Sequence, residues 1–233
     1  MSGPSQLPLA LPHTPNYERE DFMRGPSNQA ALRLIDSWPD WPQPIVILSG
    51  PAGAGKTHLA QIWSGLAAGV ILPAQGLRDE RLLPHVAERR AIAIEDLRPE
   101  QVPEAGLFHL INSVRELGGT LLLTSRSPAE DWRVELPDLR SRLRQAASVA
   151  LGAPGDELLR QVLVKLFADR QLVVEKPVID YLISRMERSL GAAIGLVETL
   201  DKRALAGGRR ITRAMAAEIM ASAAETEEFA DRQ

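Results

Sequence analysis

A glycine-rich segment at residues 50–57 has the residue types and spacing needed to hold nucleotide phosphates. It reads Gly-Pro-Ala-Gly-Ala-Gly-Lys-Thr and matches G-x-x-x-x-G-K-[ST] after an apolar run and before a helical pattern. Glycines let backbone N–H groups point at phosphate oxygens, and the helix N-terminus adds a favourable dipole. In this pattern Lys56 neutralises the β and γ phosphates while the Thr57 hydroxyl ligates Mg²⁺. Only four of the 233 residues are lysine, so a chance match is rare. The sequence therefore predicts ATP or ADP with Mg²⁺ as the cofactor.

Two carboxylates, Glu95 and Asp96, directly follow the apolar run at residues 91–94. In a phosphate-binding α/β fold, the end of a neighbouring strand faces the metal and the γ phosphate. We therefore expect Glu95 to hold the metal's water shell and Asp96 to orient an attacking water. An acidic turn that leads to Pro99 is the alternative interpretation.

Polar and basic residues follow later in the chain at positions that fit the same chemistry. Thr124 and Ser125 end the next apolar run, and Ser125 is predicted to position the hydrolytic water; a plain strand-end turn is the alternative. Arg140 and Arg142 lie in a Leu-Arg-Ser-Arg-Leu segment. An arginine that is supplied across a subunit contact can stabilise the charge on a transferring phosphoryl group. Because 23 of the 27 basic residues are arginine, a solvated helix face is the alternative.

Alternating strand and helix patterns are expected to position these residues. Strands are predicted at 45–48, 70–72, 91–94, 120–123 and 148–151, with helices at 56–66, 80–89, 104–117 and 138–144. Ser27 and Asn28 offer N-caps for an earlier helix that ends before Pro39. Right-handed crossovers then predict an α/β fold with an open, parallel, five-stranded sheet and helices on both faces.

The predicted division of the chain has four parts. Four prolines make residues 1–16 an extended arm, and residues 17–153 form the α/β core. After Pro154 the pattern is helical only, which predicts a small all-α domain at 154–223. Residues 224–233 are predicted to be an acidic, solvated tail.

The composition places limits on the class of protein. The chain is 45% hydrophobic and 24% charged with a formal charge of -3, which is typical of a globular protein and argues against a protein that coats nucleic acid. It contains no cysteine, which excludes disulfides, thiolate zinc sites and cysteine nucleophiles. It has neither a signal-peptide pattern nor an apolar run of the ~18 residues that span a bilayer. We expect a cytoplasmic protein without membrane contact.

Together these residues resemble the AAA+ ATPases, and within them the DnaA/Hda family, over residues 17–222. The segment from Tyr17 looks like the family's N-terminal box, whose F-x-x-G-x-S-N pattern lines the adenine pocket. Ser125 matches the sensor 1 strand end, and Arg142 corresponds to the arginine finger. The resemblance implies that nucleotide is contacted by Phe22, Ser27, Asn28, Gly50, Pro51, Ala52, Gly53, Ala54, Gly55, Lys56, Thr57 and His58.

The N-terminal arm contains a second family feature. Its Gln-Leu-Pro-Leu-Ala-Leu string resembles the Q-L-x-L-x-L peptide by which the short members of the family bind the sliding clamp, the β subunit of DNA polymerase III. A proline-stiffened segment loses little entropy on docking and presents alternate leucines to an apolar groove. The expected clamp-binding residues are Gln6, Leu7, Pro8, Leu9 and Leu11. The chain ends after the helical domain, so we do not expect sequence-specific DNA binding.

Some positions depart from the family pattern. Glu95 stands where an aspartate is usual, no arginine lies near Ala192 at the sensor 2 position, and the aspartate after the sensor serine is missing. Loss of a γ-phosphate contact would weaken the chain's own hydrolysis.

The family resemblance therefore implies a negative regulator of replication initiation, which binds the clamp and uses Arg142 in trans to stimulate hydrolysis of DnaA-bound ATP. Three alternatives stay open: an initiator-type or helicase-loader ATPase, a clamp-binding adaptor that uses nucleotide structurally, and a small-molecule kinase. The kinase is disfavoured because the helical segment follows the core instead of being inserted as a substrate flap. Self-association and intrinsic enzyme activity are open.

Overall fold

The computed structural model describes residues 17–78, Glu88 and residues 90–230. It contains two compact units, one of residues 17–154 and one that begins at Gly155, which we call the α/β unit and the lid unit. The boundary drawn from the sequence at 153/154 lies one residue before this division. The predicted arm at 1–16 and most of the predicted helix at 80–89 fall outside the described residues. No helix in the described part is long and apolar enough to cross a membrane.

The α/β unit is built on a five-stranded sheet in the order β2-β3-β4-β1-β5. All neighbouring pairs are parallel. The strands are β1 Ile45–Ser49, β2 Val70–Pro73, β3 Ala91–Leu97, β4 Thr120–Ser125 and β5 Ala147–Ala150. The predicted parallel sheet is confirmed, and it brings the ends of β1, β3 and β4 side by side.

Helices cover both faces of this sheet, as predicted. The helices are α1 Gln29–Asp36, α2 Lys56–Ala67, α3 Glu104–Glu116 and α4 Pro137–Gln145. Along β1, Ile45 and Ile47 pack into a cluster with α3 and α4, while Val46 and Leu48 pack into a second cluster with α1 and α2. This alternation follows from the two-residue period of a strand.

The lid unit is entirely helical in its described residues. Its helices are α5 Asp156–Asp169, α6 Lys176–Ile183, α7 Leu190–Gly207 and α8 Arg213–Ala230. They enclose a separate apolar core that includes Leu163, Leu182 and Val197. The predicted helical lid is confirmed. Helix α8 continues to Ala230, so the first residues of the expected acidic tail are helical, and its exposure to solvent stays a prediction.

The first helix differs from its prediction in how its start is held. Asn28 occupies the N-cap position of α1, but its side chain makes no capping hydrogen bond. Its Oδ1 accepts from the Gly25 N–H at 2.8 Å, and its Nδ2 donates to the Met23 carbonyl at 3.0 Å. The side chain is 1% exposed. Asn28 therefore stabilises the preceding loop instead of the helix end.

Candidate functional site

The segment at residues 50–57, here called the phosphate loop, joins the buried strand β1 to α2. Gly50 has a φ of +148°, and a Cβ added there would lie 2.4 Å from the Leu151 carbonyl oxygen. The Gly50 N–H donates to the Ser125 carbonyl at 3.2 Å, which ties the loop to the end of β4. Gly55 has a φ of +101° at the start of α2. Side chains rarely adopt these conformations, so the glycines are required by the backbone path.

Lys56 folds back over the phosphate loop from the first position of α2. Its Nζ donates to the Gly50 and Pro51 carbonyls, each at 2.7 Å. Burial lowers the Lys56 pKa, the charges of Asp96 and Glu95 oppose that effect, and the charge of Arg126 adds to it. A partly desolvated cation at a helix N-terminus is well suited to hold an anionic phosphate.

Glu95 faces the phosphate loop from β3. Burial raises the pKa of its carboxyl group, while a hydrogen bond with the Thr57 side chain opposes that rise. The Oε1 atom is buried and has no hydrogen-bond partner. A buried carboxylate oxygen without a partner, next to a threonine hydroxyl, fits the oxygen ligands and ordered water that Mg²⁺ prefers. The described residues contain no cluster of three or more His, Asp and Glu side chains that could hold a metal by itself.

Asp96 has a different environment from its neighbour. The sequence predicted that the strand ends before the two acids. In the structure, β3 instead continues to Leu97, with an irregularity in its pairing to β4. Asp96 has a φ of +48°. Its side chain is 51% exposed and forms ion pairs with Arg98 at 3.1 Å and Arg126 at 3.4 Å. Burial would raise the Asp96 pKa, but hydrogen bonds and charge from Arg98 and Arg126 prevail and lower it.

The hydroxyl groups of Ser125 and Thr124, at the end of β4, make different contacts. Ser125 is fully buried, and its hydroxyl donates to the Ser127 carbonyl. The Thr124 hydroxyl instead accepts the Asp96 backbone N–H. On β4, the hydroxyl that contacts the acidic pair is therefore that of Thr124, and water positioning by Ser125 stays a prediction.

The N-terminal box contacts the first turn of α2 through His58. The His58 ring makes edge contacts with Tyr17 and Phe22 at centroid distances of 5.3 and 5.1 Å. Its Nε2 lies 3.2 Å from the Glu18 carbonyl oxygen. The Ser27 carbonyl accepts from the Gly152 N–H at 2.9 Å. The structure thus brings Phe22 and His58 together and adds Tyr17, which sequence reasoning did not assign. That Phe22 and His58 contact nucleotide stays a prediction.

Arg142 lies on α4, which packs on the sheet face opposite α2. Its guanidinium lies over the Phe108 ring, 5.4 Å from the centroid, and makes no ion pair among the described residues. The nearby Arg140 is used differently, since its Nε donates to the Val134 carbonyl at 3.1 Å. Arg140 therefore holds the chain before α4, while Arg142 is held by aromatic stacking.

Two arginines at the acidic pair, Arg98 and Arg126, were missed by sequence reasoning. The sequence signal that could have identified them is the basic residue that follows the end of each of the neighbouring strands β3 and β4. The proposed clamp-binding residues Gln6, Leu7, Pro8, Leu9 and Leu11 lie outside the described residues.

Comparison with known proteins relates both units to replication proteins. The family model described as Hda, lid domain, matches residues 156–220. An uncharacterized protein of Haemophilus influenzae is 29% identical over 223 residues, which cover 89% of this chain and 94% of that protein. The chromosomal replication initiator protein DnaA of Caulobacter sp. (strain K31) is 30% identical over 226 residues, which cover 83% of this chain. The chain spans 46% of that protein's length.

Solved structures show the same fold. Domain III of the Thermotoga maritima replication initiation protein DnaA matches with a TM-score of 0.74 and 18% identity, over 88% of this chain and 96% of that one. The AMPPCP-bound DnaA of Aquifex aeolicus matches with a TM-score of 0.69 and 17% identity, over 83% and 68%. At these identities the likeness is one of fold.

Proposed function

Because the chain is an Hda-like, DnaA-related AAA+ protein, we propose that it binds ATP or ADP with Mg²⁺ and restrains replication initiation in the cytoplasm. In this proposal the chain binds the DNA-loaded sliding clamp and contacts ATP-bound DnaA. The nucleotide of DnaA is then hydrolysed with the help of this chain's Arg142. Most of the chemistry takes place in the partner.

Nucleotide binding is supported most directly by the arrangement of Lys56, Thr57 and Glu95. Lys56 supplies a cation to the phosphates, and the Thr57 hydroxyl would ligate the metal. The unpartnered Oε1 of Glu95 would accept a hydrogen bond from metal-bound water. When bound, Mg²⁺ neutralises charge on the phosphate oxygens. The AMPPCP in the Aquifex aeolicus DnaA structure is consistent with this proposal.

The trans role of Arg142 is supported by its packing. Its guanidinium is held over Phe108 without an acid partner among the described residues, so no ion pair has to break before it reaches a phosphate. It also lies on the sheet face opposite the helix that follows this chain's own phosphate loop. These features favour action on a second molecule's nucleotide over action on the chain's own.

Weak intrinsic hydrolysis is supported by the ion pairs of Asp96. The acid that would orient water is engaged by Arg98 and Arg126. Exposed ion pairs are weak, at about 0–1 kcal/mol each, so they lower activity without abolishing it. Turnover by the isolated chain that Asp96→Ala abolishes would support the initiator-type ATPase instead.

The decisive experiment measures hydrolysis of DnaA-bound ATP in the presence of clamp loaded on DNA. We expect Arg142→Ala to lower turnover by at least tenfold, since trans arginines contribute large rate factors. The matched control is Arg144→Ala, two residues further along α4, which is expected to stay within twofold. The double substitution Gln6→Ala and Leu7→Ala should reduce turnover of DnaA-bound ATP in proportion to the loss of clamp binding. If neither Arg142→Ala nor the clamp-peptide variant lowers turnover, the proposal fails.

A further inference from the structure

A basic groove lies on the lid unit between α6 and the start of α8. It is shallow and open to solvent, with a volume of about 600 Å³, and three cations in its lining are Lys176, Arg185 and Arg213. The acid in the lining is Asp180, which already forms an ion pair with Arg160. The groove therefore carries positive charge that its own lining does not neutralise.

Tyr181 organises two of these cations. The guanidinium carbons of Arg185 and Arg213 lie over its ring, 4.8 and 5.1 Å from the centroid. Neither arginine has an ion-pair partner among the described residues. Other arginines of the lid unit do, since Arg188 pairs with Asp156 and Arg203 pairs with Glu218. Two unpaired guanidinium groups are thus held at one ring, where each stack contributes about 0.5–1 kcal/mol.

The neighbouring backbone adds charge of the same sign. Lys176 and Arg213 are the first residues of α6 and α8, and neither helix has an acid in its first turn, although Glu175 occupies the N-cap position of α6. Helix N-termini carry a partial positive charge that normally attracts acidic side chains. Arg209 and Arg210 precede α8 and are exposed. Three cations therefore line the groove and two more precede α8 in the sequence, against the acids Asp180 and Glu175, although the whole chain has a formal charge of -3.

We propose that this groove binds the phosphate backbone of duplex DNA without sequence preference. Guanidinium groups provide planar donors that match phosphate oxygens, and several cations at one surface match the repeated charges of a nucleic-acid backbone. Base stacking, which single-strand binding proteins use, needs a free aromatic face, but the Tyr181 ring already carries two guanidinium groups. The contact is therefore with phosphates. It goes beyond the proposed function, because it requires neither nucleotide nor Arg142.

The test uses the full chain and a fluorescein-labelled 30-base-pair duplex of arbitrary sequence, with binding followed by anisotropy from 25 to 200 mM salt. We expect a Kd of about 1–100 μM and, for three phosphate contacts, a slope of log K against log salt of about −2.7. Arg185→Gln with Arg213→Gln should flatten the slope by about 1.8. The matched control, Lys202→Gln with Arg203→Gln, removes the same charge elsewhere in the lid unit and should leave the slope unchanged.

Two further variants separate charge from folding. Arg185→Lys with Arg213→Lys keeps the charge and should keep the slope. Ser184→Glu adds an acid to the groove lining without altering either arginine, and should weaken binding at least fivefold at constant circular dichroism.

Three results would overturn the proposal: equal losses in the groove and control variants, no binding by the unaltered chain at 25 mM salt, or binding of polyglutamate in the groove without binding of duplex. None of these measurements contains DnaA or the clamp, so they are independent of the regulatory proposal.

Discussion

The backbone N–H of Asp96 donates to the Thr124 hydroxyl oxygen on the neighbouring strand, at 3.1 Å. This bond holds Asp96 at a φ of +48°, where β3 and β4 lose their regular pairing. As a result, two consecutive acids have separate environments. Glu95 is half-buried beside Thr57, and Asp96 is exposed between two arginines.

Thr124→Val tests the importance of that bond for stability. The substitution keeps the shape of the side chain but leaves a backbone donor without its partner, in a conformation that an aspartate adopts only at a cost. We expect the free energy of unfolding of the α/β unit to fall by about 1–2 kcal/mol, measured by urea denaturation. Thr120→Val, at the start of the same strand, is the control. Equal effects of the two substitutions would show that the bond to Asp96 has no special role.

Glu95→Gln is expected to change the pH dependence of stability. Burial raises the pKa of Glu95 in the folded protein, so the folded state binds the proton more tightly than the unfolded chain does. The free energy of unfolding therefore decreases as the pH rises from the Glu95 pKa of the unfolded chain through the raised Glu95 pKa of the folded protein.

The glutamine variant removes that cost. Its thermal midpoint should exceed that of the unaltered chain by about 2 °C near pH 7.5, and the difference should disappear near pH 4. A gain of the same size at both pH values would show that the charge of Glu95 is not the cause.

Lys56→Ala is expected to weaken nucleotide binding. A charge-assisted contact contributes about 1.5–3 kcal/mol, which corresponds to a 10- to 150-fold rise in Kd for fluorescent methylanthraniloyl-ADP in a titration. Lys202→Ala, an exposed lysine of the lid unit, should leave the Kd unchanged. Unaltered binding by the Lys56 variant would remove the basis for a phosphate loop.

Phe108→Leu probes the stack that holds Arg142. Leucine keeps the apolar volume on α3 but removes the aromatic face, worth about 0.5–1 kcal/mol to the guanidinium. Turnover of DnaA-bound ATP should fall about two- to fivefold, which is less than for Arg142→Ala. In the Arg142→Ala background, Phe108→Leu should have no additional effect, because the two side chains act through one contact. Additive losses would contradict this coupling.

Local patterns predicted the main elements well. The phosphate loop was recognisable because its glycines, Lys56 and Thr57 act through backbone geometry within eight residues. The apolar runs predicted the central strands β1, β3 and β4 because buried parallel strands carry continuous apolar side chains, whereas the edge strands β2 and β5 are only partly buried. The end of β3 was misplaced, since two carboxylates after Ile94 look like a loop until Thr124 on another strand supplies a partner.

The sequence alone thus determined which residues could bind phosphate, metal and a partner's nucleotide, because such binding depends on residue types at short spacing along the chain. Tertiary structure decided how each one is used. His58 contacts both Tyr17 and Phe22, and the Arg142 guanidinium lies over the Phe108 ring. Hydrogen bonds and ring contacts act only over a few ångströms, so partners distant in sequence are selected by the register of the sheet and the packing of helices on its faces.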